Sequence, residues 1–165
     1  MPEAPGGKII KKVWIRASAE VIYKALTESK ELVRWFCDRA FSDPREGGEL
    51  VAYWRTGKSS QKGRAVFTRL VSCSALELLW IDDGSGAKER NSSHTLSYEI
   101  RSKSGLTELV MVDQDESDSD EDTRAILDQG WNLVLLELKD YCERRERSIK
   151  LRPRLKSSPQ NAPRE

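Results

Sequence analysis

The chain has 165 residues, of which 38% are hydrophobic and 33% charged. This length and mixture are typical of one globular domain with a charged exterior, and they exclude a fibrous or wholly disordered chain. The formal net charge is +1, so no global field draws the protein onto nucleic acid or an anionic membrane. No run approaches the roughly 20 apolar residues of a membrane span, and residues 1–12 lack the apolar core of a secretory signal. We therefore expect a cytoplasmic protein.

The three cysteines, Cys37, Cys73 and Cys142, stand far apart in the sequence. An odd number at wide spacing fits neither a secreted disulfide framework nor a zinc site. We interpret them as free thiols, and we predict no metal and no cofactor.

The N-terminal part of the chain predicts one strand followed by two short helices. Lys8 to Arg16 is rich in β-branched and aromatic residues, which is typical of a strand. Ser18 is a good N-cap for a helix with apolar residues at helical spacing, and a second short helix is predicted after Ser29.

The middle of the chain predicts a ladder of antiparallel strands. A turn at Asp43 to Gly48 opens it, because proline fixes φ and glycine permits positive φ. Alternating apolar and polar residues then predict strands at Glu49 to Trp54, Gly63 to Leu70, Leu76 to Ile81, His94 to Ile100 and Thr107 to Asp113.

The last predicted element is a long amphipathic helix. An acidic segment, Asp113 to Asp122, is interpreted as a linker whose Ser117 or Ser119 caps the helix. One face repeats at 3.6-residue spacing and carries Leu127, Gly130, Trp131, Val134, Leu138, Tyr141 and Cys142. We predict one domain over residues 8–147 and a basic, disordered tail over 148–165.

Several motifs stand in the order and spacing of a known superfamily. They are the segment Ile15 to Thr27, Trp35, Gly47-Gly48 after Asp43-Pro44-Arg45, Gly63, Leu76 with Trp80, Thr107 and Gly130-Trp131. Together they resemble the START/SRPBCC (Bet v-like, helix-grip) superfamily, in the branch named after the activator of heat-shock protein 90 ATPase. The resemblance implies an α+β fold, with a curved antiparallel sheet of about six to seven strands around a long C-terminal helix and two short helices after the first strand.

The resemblance also implies a cavity between sheet and helix for a lipid, a sterol-like or a polyketide-like ligand. Such sites are mostly apolar with a few placed polar groups. The candidate lining residues are Trp35, Trp54, Phe67, Trp80, Tyr98, Met111, Trp131 and Leu135. The alternative is that these side chains close-pack into a solid core.

A second hypothesis is a cyclase or hydrolase that uses the same cavity. His94 is the only histidine and shares strand parity with Leu96 and Tyr98, so it is a candidate general base. Arg64 and Asp82 are weaker polar candidates. No nucleophile or carboxylate stands at a known catalytic spacing from His94, and we assign no catalytic residue.

The acidic segment also permits a calcium hypothesis, because Asp113, Asp115 and Ser117 occupy the first three ligand positions of an EF-hand. The sixth position holds Asp118 instead of glycine, and the twelfth holds Arg124 instead of glutamate, so the pattern fails.

A third hypothesis is a protein-interaction or chaperone-associated stress module. Ile126, Leu133 and Leu136 broaden the apolar surface of the long helix beyond one stripe, which favours a homodimer. The basic tail lacks the interleaved aromatic residues that stack on bases, so we do not expect nucleic-acid binding.

Overall fold

The computed structural model describes residues 7–81, 93–115 and 121–160. Its elements follow one another as β1 (Lys8–Ile15), α1 (Ala19–Thr27), α2 (Ser29–Trp35), β2 (Arg39–Ser42), β3 (Glu49–Thr56), β4 (Ser59–Val71), β5 (Ala75–Ile81), β6 (His94–Lys103), β7 (Leu106–Asp115) and α3 (Glu121–Gln160). The predicted α+β helix-grip fold is confirmed.

The seven strands form one antiparallel sheet in the order β1-β7-β6-β5-β4-β3-β2. Strands β2 to β7 follow one another as neighbours, and β1 closes the far edge by pairing with β7 from Lys8 opposite Gln114 to Ile15 opposite Thr107. The register of β4 against β5 shifts between Phe67 and Arg69. A shift of this kind bends a strand and increases its twist, which helps the sheet to curve.

The concave face of the sheet carries the core. Alternation along β5 and β6 buries Leu76 and Leu78 on one strand, and Leu96 and Ile100 on the next. Phe67 is fully excluded from solvent, and burying a side chain of that size contributes roughly 1.5–3 kcal/mol.

Two boundaries differ from the sequence prediction. Strand β2 was not predicted, because it has only four residues at the edge of the sheet and leaves Phe41 60% exposed. The acidic linker is wrong at both ends, since β7 continues to Asp115 and α3 begins at Glu121. The predicted caps Ser117 and Ser119 lie outside the described residues. The domain boundary at residue 147 stays a prediction, with α3 running past it to Gln160.

The N-terminal cap of α1 lies against the long helix. The Ser18 hydroxyl accepts from the Val21 amide at 3.1 Å, as predicted. The Ser18 amide donates to Glu146 at 2.8 Å, and the neighbouring Arg16 amide donates to Glu143 at 3.0 Å. Two carboxylates of α3 therefore satisfy backbone donors between β1 and α1 that have no helical partner of their own.

A buried carboxylate joins α2 to α3. Glu31 is 4% exposed, accepts a hydrogen bond from the Tyr141 hydroxyl, and pairs with Arg145 at 3.2 Å. Burial alone would raise the pKa of Glu31, but the bonds from Tyr141 and Arg145 outweigh it and hold that pKa below its usual value. Burial and the adjacent carboxylate raise the pKa of Tyr141 to about 12.

None of the helices in these described ranges is long and apolar enough to cross a membrane.

We predict that Glu31→Gln lowers the free energy of unfolding by roughly 1.5–3 kcal/mol at pH 7, the usual worth of a hydrogen bond to a charged group. Because the folded-state pKa of Glu31 is depressed, its stabilising effect is complete above the unfolded-state pKa and disappears as pH falls through the folded value. The difference between wild type and variant should therefore shrink below about pH 4.5, which urea denaturation at several pH values measures.

The matched control is Glu20→Gln, because the Glu20 side chain is 66% exposed and, within the described part of the chain, its one ion pair is with Lys24 at 3.5 Å. It should change the free energy of unfolding by less than about 0.5 kcal/mol. A Glu31→Gln loss that is the same at pH 7 and in acid would contradict the electrostatic explanation.

Candidate functional site

A cavity of about 200 Å³ lies between the sheet and the helices. Residues of α1, α2, β3, β5, β6 and α3 form its wall. Those among the described residues are Leu26, Leu32, Trp35, Phe36, Leu50, Trp54, Leu78, Trp80, His94, Leu96, Tyr98 and Trp131. The wall is almost wholly aliphatic and aromatic, with His94 as its one imidazole.

Glycine at position 63 makes room for two of the wall's indoles. A Cβ on Gly63 would lie 2.9 Å from the Trp80 ring and 3.0 Å from the Trp54 ring, closer than such atoms normally approach. Because Gly63 has no side chain, both rings lie across the β4 backbone. The motif glycine is therefore required by the shape of the cavity wall.

Two hydrogen bonds fix the orientation of indole rings in the cavity wall. Trp35 donates from Nε1 to the Ala25 carbonyl at 2.9 Å, and Trp54 donates to the Phe36 carbonyl at 2.6 Å. The Phe36 ring meets Trp54 edge to face, with centroids 5.2 Å apart. Rings held in this way give the cavity a fixed shape.

The polar end of the cavity is built around a buried carboxylate. Asp113 is 1% exposed. One of its oxygens lies 2.8 Å from His94 Nδ1, and the other accepts from Trp131 Nε1 at 2.7 Å. Asp113 therefore joins β6, β7 and α3 at one point. Burial first, and the charge of Asp113 second, raise the pKa of the nearby Tyr98.

Asp113 was missed in the search for a partner of His94, although the sequence holds a signal for it. The turn after Lys103 pairs Lys103 with Leu106, and counting back from this pair sets Leu96 opposite Asp113. His94 then lies on the same face, one diagonal step away, which is within reach of a side-chain pair. Asp113 was predicted both as the last residue of the strand from Thr107 and as the first residue of the acidic linker, and its position across the sheet from His94 was not considered.

The predicted lining residues divide into two groups. Trp35, Trp54, Trp80, Tyr98 and Trp131 line the cavity. Phe67, Met111 and Leu135 are buried in the core and do not line it. A ligand-binding role for any of them stays a prediction.

The other polar candidates lie elsewhere. Arg64 is outside the cavity wall and pairs with Glu49 at 3.2 Å, and Asp82 lies outside the described residues. Cys37 and Cys142 are buried free thiols, and burial is the main cause that raises the pKa of Cys37 to about 11 and that of Cys142 to about 12. No group of three His, Cys, Asp or Glu side chains within the described ranges could hold a metal ion.

The outer face of α3 is apolar in part, as its sequence indicated. Ile126, Leu133 and Leu136 are 61%, 65% and 61% exposed. They lie away from the cavity and form a separate surface.

An antiparallel sheet curved around a long C-terminal helix, with an apolar cavity between them, defines a helix-grip protein of the START/SRPBCC type. Within that class, the sequence profile of the family described as "Activator of Hsp90 ATPase homolog 1-like protein" matches residues 16–143, and the chain belongs to this family. No curated protein matches the chain.

Solved structures share the fold at low sequence identity. The Aha1 dimer from Colwellia psychrerythraea is 20% identical with a TM-score of 0.67, over 83% of this chain and 96% of that one. CalU16 from Micromonospora echinospora is 18% identical with a TM-score of 0.62, over 88% and 82%. DynU16, a putative protein in the dynemicin biosynthetic locus, is 16% identical with a TM-score of 0.68, over 84% and 48%.

Proposed function

We propose that the protein binds a small apolar ligand in the cavity between the sheet and α3. The observation that carries this proposal is the cavity itself, about 200 Å³ of unfilled space walled by oriented aromatic rings. Protein interiors are normally packed to the density of organic crystals. An unfilled space of this size is therefore a specific feature of the molecule.

The volume favours a ligand of one or two rings. An apolar cavity of about 150 Å³ is sufficient for benzene, whereas the pockets of drug-sized ligands begin near about 300 Å³. The flat faces of Trp54, Trp80 and Trp131 suit an aromatic guest. A small polyketide-like aromatic compound fits these dimensions better than a sterol or a lipid with a long chain. The place of DynU16 in a biosynthetic locus supports a link of this fold with small-molecule biosynthesis.

Titration with 2-fluoronaphthalene tests the proposal. We expect saturable binding to the wild type, measured by calorimetry and by quenching of tryptophan fluorescence. Leu78→Phe places a larger side chain in the cavity wall and should weaken binding by about tenfold or more, because overpacking costs roughly 1–3 kcal/mol. Ile10→Phe introduces a phenyl ring at an exposed position of β1 and should leave the affinity unchanged. Absence of binding to the folded wild type, or equal binding to both variants, would refute the proposal.

A second candidate function is an enzyme that uses His94 as a general base. The observation that favours it is the Asp113 carboxylate at 2.8 Å from Nδ1, which orients the ring as a third group orients the base of a catalytic pair. Such a base activates a water or withdraws a proton from a bound substrate.

Hydrolysis of 4-nitrophenyl acetate, a single-ring ester, tests the enzymatic alternative. A hydrolase should release 4-nitrophenol faster than buffer does, and His94→Phe should remove that excess rate. Equal rates for wild type, His94→Phe and buffer would count against a hydrolase.

The exposed apolar face of α3 supports self-association. Its stripe through Leu133 and Leu136 lies between an acidic start at Asp122 and the basic Arg144 and Arg147. Two copies packed antiparallel would bring the acidic end of each helix next to the basic end of the other. A dimer is also the described state of the Colwellia protein.

Light scattering coupled to size-exclusion chromatography measures the assembly state. We expect twice the chain mass for the wild type and the chain mass for Leu133→Glu, because a buried unpaired charge opposes pairing. Glu137→Gln on the same exposed side is the control for a charge change alone. A monomeric wild type at high protein concentration would exclude the dimer.

A further inference from the structure

Three polar atoms of the cavity wall have no hydrogen-bond partner among the described residues: His94 Nε2, Trp80 Nε1 and the Tyr98 hydroxyl. The indole N–H groups of Trp35, Trp54 and Trp131 all have protein acceptors. His94 lines the same cavity with its side chain 13% exposed, and its Nδ1 is held by Asp113. Among the described residues, His94 Nε2 has no hydrogen-bond partner.

Asp113 determines what that nitrogen can do. When Asp113 is ionised, its carboxylate only accepts hydrogen bonds, and the contact at 2.8 Å then places the imidazole proton on Nδ1. In the neutral imidazole, Nε2 then carries a lone pair and is an acceptor. The Trp131 N–H on the other carboxylate oxygen keeps Asp113 in the orientation that maintains this tautomer.

A purely structural role would not need this arrangement. Trp35 and Trp54 are held by backbone carbonyls, and a carbonyl would serve Trp131 equally well. Burying a carboxylate is costly unless it is paired, and here the pairing group is an imidazole in the wall of an apolar cavity. The cost is explained if the imidazole acts on something inside the cavity.

We infer that the cavity selects an aromatic ligand carrying a hydroxyl group, which donates its hydrogen bond to His94 Nε2. This inference rests on the proposed binding function and specifies its ligand class as phenols and related hydroxylated rings. The hydrocarbon part of the ligand contacts the indoles and leucines, and the hydroxyl lies at the Asp113 end. His94, oriented by Asp113, therefore selects for the hydroxyl group of the ligand, whereas the other wall residues select for its size and shape.

The experiment compares 2-naphthol with 2-fluoronaphthalene, which carries a fluorine in place of the hydroxyl and so cannot donate a hydrogen bond. The measured quantity is the ratio of their dissociation constants, which corrects for a general loss of binding. We expect His94→Phe to shift this ratio against 2-naphthol by about tenfold or more, the usual worth of a hydrogen bond in a dry site. Ile10→Phe, at an exposed position of β1, is the control and should keep the wild-type ratio.

Asp113→Asn provides a second variant with an opposite expectation. The asparagine oxygen must accept from Trp131, so its amide faces His94 and donates to Nδ1, which moves the imidazole proton to Nε2. The cavity should then gain affinity for 2-methoxynaphthalene, whose ether oxygen only accepts, relative to the wild type. Circular dichroism and thermal unfolding of each variant confirm that it is folded before titration.

The outcomes separate the two claims. If 2-fluoronaphthalene does not bind the wild type, the proposed function fails and this inference fails with it. If 2-fluoronaphthalene binds but His94→Phe leaves the ratio unchanged, the inference alone is overturned. A change of the ratio in Tyr98→Phe and none in His94→Phe would also overturn it, because the Tyr98 hydroxyl in the same wall would then be the partner.

Discussion

The long helix α3 is held to the fold mainly by side chains in its middle, from Leu138 to Glu146, and the position of the cavity follows from this. Leu138 and Cys142 are fully buried, while Glu143 and Glu146 bind backbone amides beside α1 and Arg145 pairs with Glu31. Toward the start of the helix, Trp131 is only partly buried and lies against the cavity. The middle of the helix therefore carries most of its buried contacts, and the apolar cavity lies nearer the start of the helix.

Asp113, His94 and Trp131 form a hydrogen-bonded cluster at the end of the cavity nearer the start of α3. A buried carboxylate is tolerated because both of its oxygens are bonded, one by an indole of the helix and one by an imidazole of the sheet. The same contact positions α3 over the strands and orients the ring that lines the cavity. The packing of α3 and the chemistry of the site thus both depend on the Asp113 side chain. A test of function therefore needs the ratio of dissociation constants for two ligands, because loss of binding alone could reflect a packing change.

The sequence contained most of the fold, because the fold rests on periodic signals. Alternation along the strands and the helical stripe around Trp131 both follow from which face is buried. The cavity was harder to predict, since strand parity assigns a side chain to a face but not to a filled or an empty part of it. Phe67 and Met111 are on the concave side and fully buried, yet they do not line the space. Whether an unfilled space exists depends on how closely α2 and α3 approach the sheet. No local sequence pattern predicts the distance between these helices and the sheet.

Asp113 shows where local interpretation went wrong. The residues from Asp115 to Asp122 are mostly acidic, so composition favoured a solvated linker, but the β6–β7 register sets Asp113 opposite Leu96 on the buried face. A charge on a core-facing position conflicts with the hydrophobic pattern of its strand, and such conflicts are expected at functional sites. The contacts that secure the middle of α3, at Glu31, Glu143 and Glu146, involve none of the cavity residues. Most of the attachment of α3 is therefore independent of the polar end of the cavity. Substitutions at His94 or Asp113 can change which ligand binds while the other contacts of α3 maintain the fold.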